Sequence, residues 1–87
     1  MKNNIETLEN ELIRRGSKII EELGFRPTLD RKGVYSFRKR EFVISFYIKE
    51  KELFLTLFGR GQEKYLMSAV YREENLIGIK ADVREVL

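Results

Sequence analysis

The chain contains no cysteine and no histidine, and these two absences exclude most catalytic chemistry. Without cysteine there is no disulfide, no thiol nucleophile and no thiolate metal site. Without histidine, the commonest general base and the commonest metal ligand are both missing. We therefore predict no catalytic, cofactor or metal site. An enzyme with carboxylate, lysine or metal-dependent chemistry is kept as a third alternative only.

Long hydrophobic runs are missing as well. No segment approaches the roughly 20 apolar residues of a membrane span, and residues 1–12 lack the apolar centre of a signal peptide. We expect a soluble, cytoplasmic protein that does not bind membranes. With 87 residues, of which 43% are hydrophobic, the chain is expected to form one domain, residues 1–87. Many interspersed lysines, arginines and glutamates are also typical of a thermophile.

One helix is predicted for residues 5–23, because apolar residues recur there at spacings of three and four. They form one stripe along a helix: Ile5, Leu8, Leu12, Ile19, Ile20 and Leu23. Asn3 and Glu6 have the spacing of a capping box at the start of this helix. Gly24 can adopt the left-handed conformation that ends a helix, and Phe25 is then placed to pack back on it.

Three strands are predicted after the helix, because the apolar period changes from near four to two. The alternating residues are Tyr35 and Phe37, then Phe42, Ile44, Phe46 and Ile48, then Leu53, Leu55 and Leu57. A turn at residues 50–51 makes opposite residue numbers sum to 101. A turn at residues 39–40 makes them sum to 79 and pairs Phe37 with Phe42. A slip of one residue would place Arg38 among the apolar side chains, so burial favours these registers.

The C-terminal third is ambiguous. Residues 62–73 have a composition that suits a helix, but their apolar residues alternate, and we favour a strand. A further turn at residues 74–75 would then pair Val70 with Ile79 and add another strand. The spacing at residues 82–85 favours one final helical turn. The predicted fold class is α+β, with an N-terminal helix packed on a four- to six-stranded antiparallel β-meander.

One face of this predicted sheet has no element to cover it. Val43, Tyr47, Phe54 and Phe58 point away from the helix-facing side chains on the two central strands. A helix of about 19 residues covers one sheet face and not both. Soluble monomers seldom leave a contiguous apolar patch of several hundred Å² open, so a partner is expected to cover it. The alternative is a curled sheet whose last strands fold over the patch.

A basic segment is the second candidate site. The net charge of +3 is concentrated in residues 25–60, and residues 31–40 hold five bases and no acid. Bases at a hairpin tip can contact phosphates: Arg31, Lys32, Arg38, Lys39 and Arg40. The same bases would also keep a hairpin soluble and prevent an edge strand from pairing with another chain.

These observations favour a small non-enzymatic protein–protein interaction module, homodimeric through the face that carries Val43, Tyr47, Phe54 and Phe58. The alternative is a nucleic-acid-binding accessory or regulatory protein that uses the basic hairpin, residues 31–40. The two hypotheses differ in their partner. The first requires another protein chain, and the second requires a nucleic acid.

Overall fold

The computed structural model describes residues 4–29 and 31–87, and Asn3, the predicted helix cap, lies outside these residues. Helix α1 comprises Asn4–Glu22, and the chain ends with helix α2, Gly78–Val86. Between them lie five strands and one 3-10 turn: β1, Arg26–Pro27; β2, Tyr35–Lys39; β3, Phe42–Lys49; β4, Glu52–Gly59; β5, Lys64–Tyr71; and the turn Glu73–Asn75. Neither described helix has the length and apolar composition needed to cross a membrane.

In the described residues, the five strands form one antiparallel sheet in the order of the sequence, β1-β2-β3-β4-β5. This confirms the predicted α+β meander. Each strand pairs with the next through a short connection, as is usual for antiparallel sheets. β5 pairs with β4, and on the sheet face away from the helices Tyr47 and Tyr65 are 44% and 73% exposed, so β5 does not cover that face and the alternative of a curled sheet is wrong.

The core lies between one face of the sheet, here called the inner face, and the two helices. Phe46 and Leu55 point from the sheet into this layer and are almost completely buried. The remaining core residues are Leu12, Ile19, Ile20, Leu23, Phe25, Phe37, Ile44, Leu53, Leu57, Tyr71, Leu76, Ile79 and Val83. α1 lies close against the sheet at Gly16, where a Cβ atom would lie only 2.7 Å from Leu53 Cδ1.

The register between β3 and β4 is the predicted one. Opposite residues sum to 101, as in the pair Phe46 and Leu55. The turn is formed by Glu50 and Lys51, which have φ angles of 51° and 66°. Two positive φ angles are typical of the type I′ turns that match the twist of a two-residue hairpin.

The register predicted between β2 and β3 is wrong, because the turn lies one residue later in the chain than predicted. Phe37 lies opposite Ile44 rather than Phe42, and the turn is formed by Arg40 and Glu41. The partner of each residue moves by two positions, which leaves every side chain on its predicted face. Burial therefore determined which side chains face the core but could not distinguish these two registers.

The C-terminal prediction is half right. Residues 64–71 form the favoured strand, but the segment predicted to pair with it, around Ile79, is helix α2. Leu76, Ile79 and Val83 have helical spacing, and all three are completely buried against the inner face. The helix also begins four residues before the single turn predicted at residues 82–85.

The end of α1 follows the prediction for Gly24. This glycine has a φ of 95°, its N–H donates to the Glu21 carbonyl, and the Phe25 N–H donates to the Ile20 carbonyl. These two hydrogen bonds define a Schellman motif. Phe25 is buried in the same core cluster as Ile20. Lys39 Nζ donates to the Leu23 carbonyl at 2.9 Å, which satisfies another carbonyl at the helix end.

Replacing Gly24 with alanine is expected to lower the free energy of unfolding by about 1 to 2 kcal/mol, because a left-handed conformation is costly for a residue with a Cβ atom. That Cβ would also lie 3.1 Å from Lys39 Nζ and disturb its hydrogen bond. Urea unfolding measures the loss. Gly33→Ala is the matched control, since Gly33 has a φ of 80° and a Cβ atom there would meet no other atom within 4 Å. A smaller loss for Gly24→Ala than for Gly33→Ala would contradict this account of the helix end.

Candidate interaction surface

The sheet face opposite the two helices is the outer face, formed by alternate residues of β2, β3, β4 and β5. It carries the four residues predicted from the sequence as an interface: Val43, Tyr47, Phe54 and Phe58. Val43 pairs with Phe58 across β3 and β4, and Tyr47 pairs with Phe54. Tyr47 is 44% exposed and the other three are half-buried. The structure therefore brings all four together on one open surface.

Two further apolar residues extend this surface on β5. Tyr65 pairs with Phe58 and is 73% exposed, and Val70 pairs with Phe54 and is 46% exposed. Neither was predicted, because their position depends on the pairing of β5 with β4. A register shift between Leu57 and Phe58 turns Tyr65 toward the outer face, and the sequence carried no clear signal for it.

The apolar residues of the outer face form two rows across the strands. The upper apolar row is Val43, Phe58 and Tyr65, and the lower apolar row is Tyr47, Phe54 and Val70. In the lower row, the rings of Tyr47 and Phe54 are nearly parallel, with centroids 5.0 Å apart. In the upper row, the Phe58 and Tyr65 rings are tilted by 56° at 4.9 Å. Cross-strand aromatic pairs of this kind stabilise the sheet and also present flat apolar area.

A line of four hydroxyl side chains lies between the two apolar rows. This hydroxyl row consists of Ser36, Ser45, Thr56 and Ser68, one residue from each of four adjacent strands. Ser36 Oγ and Ser45 Oγ are 3.0 Å apart and share a hydrogen bond. The outer face is therefore divided into two apolar stripes with a polar stripe between them, and on β2 the upper stripe continues with the exposed Arg38, which pairs with Val43.

Charged side chains border the outer face where β3 and β4 end. Lys49 and Glu52 are paired residues beyond the lower apolar row, and Glu52 accepts a hydrogen bond from Arg72 Nε at 3.1 Å. Glu41 and Arg60 are adjacent beyond the upper apolar row, where the Arg60 N–H donates to the Glu41 carbonyl at 2.7 Å. Each end thus carries both signs of charge.

The five bases of the predicted nucleic-acid site do not lie together at a hairpin tip. Lys39 is on the inner side, where it caps α1 and lies 5.9 Å from the centre of the Phe25 ring. Arg38 Nε donates to the Arg40 carbonyl at 3.0 Å, beside the turn after β2. Arg31 and Lys32 precede β2, at the opposite end of a five-residue strand about 16 Å long.

The nucleic-acid hypothesis stays a prediction, and binding at low salt tests it. If Arg38 and Arg40 contact phosphates, affinity should be highest at about 50 mM salt and fall steeply as salt rises. Replacing both with glutamine should weaken binding to all duplex and single-stranded sequences alike, because backbone contacts carry no base information. Replacing Arg14 and Lys18 on α1 is the charge-matched control. Absence of any complex at about 50 mM salt would refute the hypothesis.

One buried tyrosine links β5 to α2. Tyr71 is 3% exposed, and its hydroxyl donates to Asp82 Oδ2 at 2.7 Å. Burial, together with this hydrogen bond to a carboxylate, raises the pKa of the Tyr71 hydroxyl well above its ordinary value near 10. The group remains neutral in the folded protein and acts as a structural donor.

Stability is therefore expected to fall in alkaline solution in a way that depends on Tyr71. The pKa of Tyr71 is higher in the folded than in the unfolded chain, so its contribution is complete below pH 10 and decreases as pH rises above 10. Tyr71→Phe should cost about 1.5 to 3 kcal/mol at pH 7, the contribution of a hydrogen bond to a charged group. Above pH 10 the difference should shrink by up to about 1.4 kcal/mol per pH unit.

Urea unfolding between pH 7 and pH 11 measures this difference. The control is Tyr65→Phe, since Tyr65 is largely exposed. A constant difference between the wild type and Tyr71→Phe across that range would contradict the account of this pair.

Two acidic side chains of α1, Glu11 and Glu22, are engaged in ion pairs. Arg14 donates to Glu11 on the same helix, and Lys80 Nζ donates to Glu22 Oε1 at 2.9 Å, which connects α2 with α1. These hydrogen bonds hold the pKa values of Glu11 and Glu22 below the ordinary value for glutamate. In residues 4–29 and 31–87 there is no group of three or more acidic side chains that could hold a metal ion.

Comparisons of the chain with protein-family models, with curated proteins and with solved structures gave no match. Function is therefore inferred from the side chains and surfaces of this chain alone.

Proposed function

We propose that the chain is a small non-enzymatic protein–protein interaction module that forms a homodimer through the outer face. The observation that carries this proposal is the position of both helices on the inner face, which leaves two apolar rows of the outer face uncovered. The four predicted residues and the two on β5 together make this patch: Val43, Tyr47, Phe54, Phe58, Tyr65 and Val70. Patches of this kind on soluble proteins mark interaction sites.

The size of the outer face matches a small dimer interface. At about 4.8 Å spacing, β3, β4 and β5, each about 26 Å long, and β2, about 16 Å long, span roughly 450 Å² on each copy. Two copies would bury about 900 Å², which is below the size of a stable interface and in the range of weak, transient complexes. The dimer is therefore expected to dissociate on dilution rather than to be permanent.

A second copy is favoured over an unrelated protein because the outer face is complementary to itself. Its apolar rows can pack on the same rows of another copy, and its bordering charges include both signs at each end. A two-fold interface requires such a surface, since the same patch serves both partners. Like-charge repulsion is also small, because the net charge of each chain is only +3.

Sedimentation equilibrium over a range of protein concentrations tests the proposal. We expect the mean mass to rise from that of one chain at low concentration to that of two chains at high micromolar concentration. Raising salt from 50 mM to 500 mM should change this transition little, because apolar burial dominates the interface. A single-chain mass at the highest concentration would refute the homodimer.

A further inference from the structure

The hydroxyl row restricts how two outer faces can pack. We infer that the two copies pack with their hydroxyl rows stacked on one another and their strands nearly aligned. This inference rests on the proposed homodimer and adds its geometry. It follows from the position of Ser36, Ser45, Thr56 and Ser68 in one line across the full width of four strands.

Burial of hydroxyl groups is costly unless they find hydrogen-bond partners. A hydroxyl placed against apolar atoms without a partner costs about 1 to 3 kcal/mol in proteins. Face-to-face sheets pack either nearly aligned, at about −30°, or at about 90°. At 90°, Ser68 at one end of the row would lie on an apolar row of the partner and find no hydroxyl there, whereas Ser36 at the other end already shares a hydrogen bond with Ser45. In the aligned arrangement each hydroxyl meets the hydroxyl row of the partner.

Charge complementarity favours the same arrangement. An aligned dimer has its two-fold axis either along the hydroxyl row or along the strands. With the axis along the row, Lys49 lies near Glu41 of the partner subunit, and Glu52 lies near Arg60 of the partner subunit. With the axis along the strands, Lys49 lies near Glu52 of the partner subunit. Opposite charges therefore meet in both cases, whereas crossed sheets separate these strand ends.

The apolar rows also stay covered in the aligned arrangement. Each apolar row lies over an apolar row of the partner, so the stacked rings of Tyr47 and Phe54 contact apolar side chains and no hydroxyl. Removal of this apolar area from water provides the driving force, and the hydroxyl row provides the orientation.

Single-cysteine crosslinking tests the inference directly, because the natural chain has no cysteine and each introduced thiol is unique. The variants are Thr56→Cys at the centre of the hydroxyl row, Ser36→Cys and Ser68→Cys at its ends, and Val70→Cys in the lower apolar row. A bismaleimide with a short spacer is the probe. Sheets pack about 10 Å apart, so thiols that face each other are within its reach.

We expect Thr56→Cys to crosslink efficiently as a dimer. Ser36→Cys should crosslink either with itself, if the axis follows the row, or with Ser68→Cys in a mixed sample, if the axis follows the strands. Val70→Cys should crosslink at least tenfold more slowly than Thr56→Cys, because both aligned arrangements separate the two copies of Val70 by about 13 to 14 Å in the plane of the sheets.

The masses of the variants distinguish a failure of the proposed homodimer from a failure of the proposed stacking of the hydroxyl rows. If the uncrosslinked variants and the wild type sediment as single chains, the homodimer itself is refuted. If they sediment as dimers but Thr56→Cys does not crosslink, or if no combination of Ser36→Cys and Ser68→Cys does, the dimer holds and the stacking of the hydroxyl rows is refuted. Crosslinking of Val70→Cys as fast as that of Thr56→Cys would also overturn it.

Discussion

Replacing Phe54 with glutamate is expected to convert the proposed homodimer into single chains. Phe54 lies in the lower apolar row, stacked on Tyr47, and a two-fold interface would bring two copies of the new carboxylate into the buried patch. Desolvation of an unpaired charge costs several kcal/mol. We expect the dissociation constant to rise at least 100-fold, which corresponds to about 2.7 kcal/mol. Tyr47→Glu should have the same effect from the neighbouring strand.

The matched control for this substitution is Leu29→Glu. Leu29 is 98% exposed and lies in the segment after β1, away from the outer face. It adds the same charge to the chain, so it should leave the mass at high concentration unchanged. Circular dichroism verifies that each variant is folded. A folded Phe54→Glu chain that still dimerises like the wild type would show that the outer face is not the interface.

Replacing Phe46 with alanine is expected to lower the free energy of unfolding by about 3 to 5 kcal/mol, enough to unfold much of a chain of this size. Phe46 is 1% exposed and packs at the centre of the inner face. Its ring lies 5.3 Å from that of Tyr35 and 5.9 Å from that of Phe37. The cavity left by alanine would be enclosed by β2, β4 and α1 and could not fill with solvent.

Phe58→Ala provides a control with the same change in side chain on the opposite face of the sheet. Phe58 is half-buried in the upper apolar row, so its loss should cost clearly less stability in the monomer. Both variants are unfolded in urea at low micromolar concentration, where dimerisation contributes little. Phe58→Ala should instead weaken dimerisation. If it destabilises the monomer as much as Phe46→Ala, the assignment of inner and outer faces is wrong.

The two faces of the sheet could be predicted from the sequence because burial requires that every second residue of a strand is apolar and faces the core. Ile44, Phe46, Leu53 and Leu55 alternate without interruption, and any slip of one residue would expose them all. The stripe of α1 and its glycine end were equally clear, since Gly24 is the first residue after the stripe that tolerates a positive φ.

Other features of the fold cannot be predicted from the alternation of apolar and polar residues alone. The β2–β3 register was mispredicted because pairing Phe37 with Phe42 or with Ile44 leaves the same side chains buried. α2 was mispredicted because its segment fits two patterns. Leu76, Ile79 and Val83 fit a helical stripe, but other residues nearby alternate as in a strand, and the strand was chosen. Such a short apolar segment is assigned by its tertiary contacts rather than by its own period.

The candidate surface was predicted only in its central part. Val43, Tyr47, Phe54 and Phe58 followed from the β3–β4 hairpin, which was predicted in its actual register. Tyr65 and the complete hydroxyl row required the pairing of β4 with β5, including its shift between Leu57 and Phe58. Lys39 was predicted as a binding residue from its charge, and its second role could not be predicted, since the contact of its amine with the end of α1 depends on the tertiary fold.

Isotope-filtered nuclear Overhauser spectroscopy on an equal mixture of labelled and unlabelled chains tests the central claim most directly. It detects only contacts between two copies. We predict contacts between copies for the rings of Tyr47, Phe54 and Phe58 at high micromolar concentration, and none for the buried ring of Phe46. A dimeric sample in which the contacts between copies involve the helices or the outer edge of β5, and not these three rings, would contradict the claim that the outer face joins the two chains.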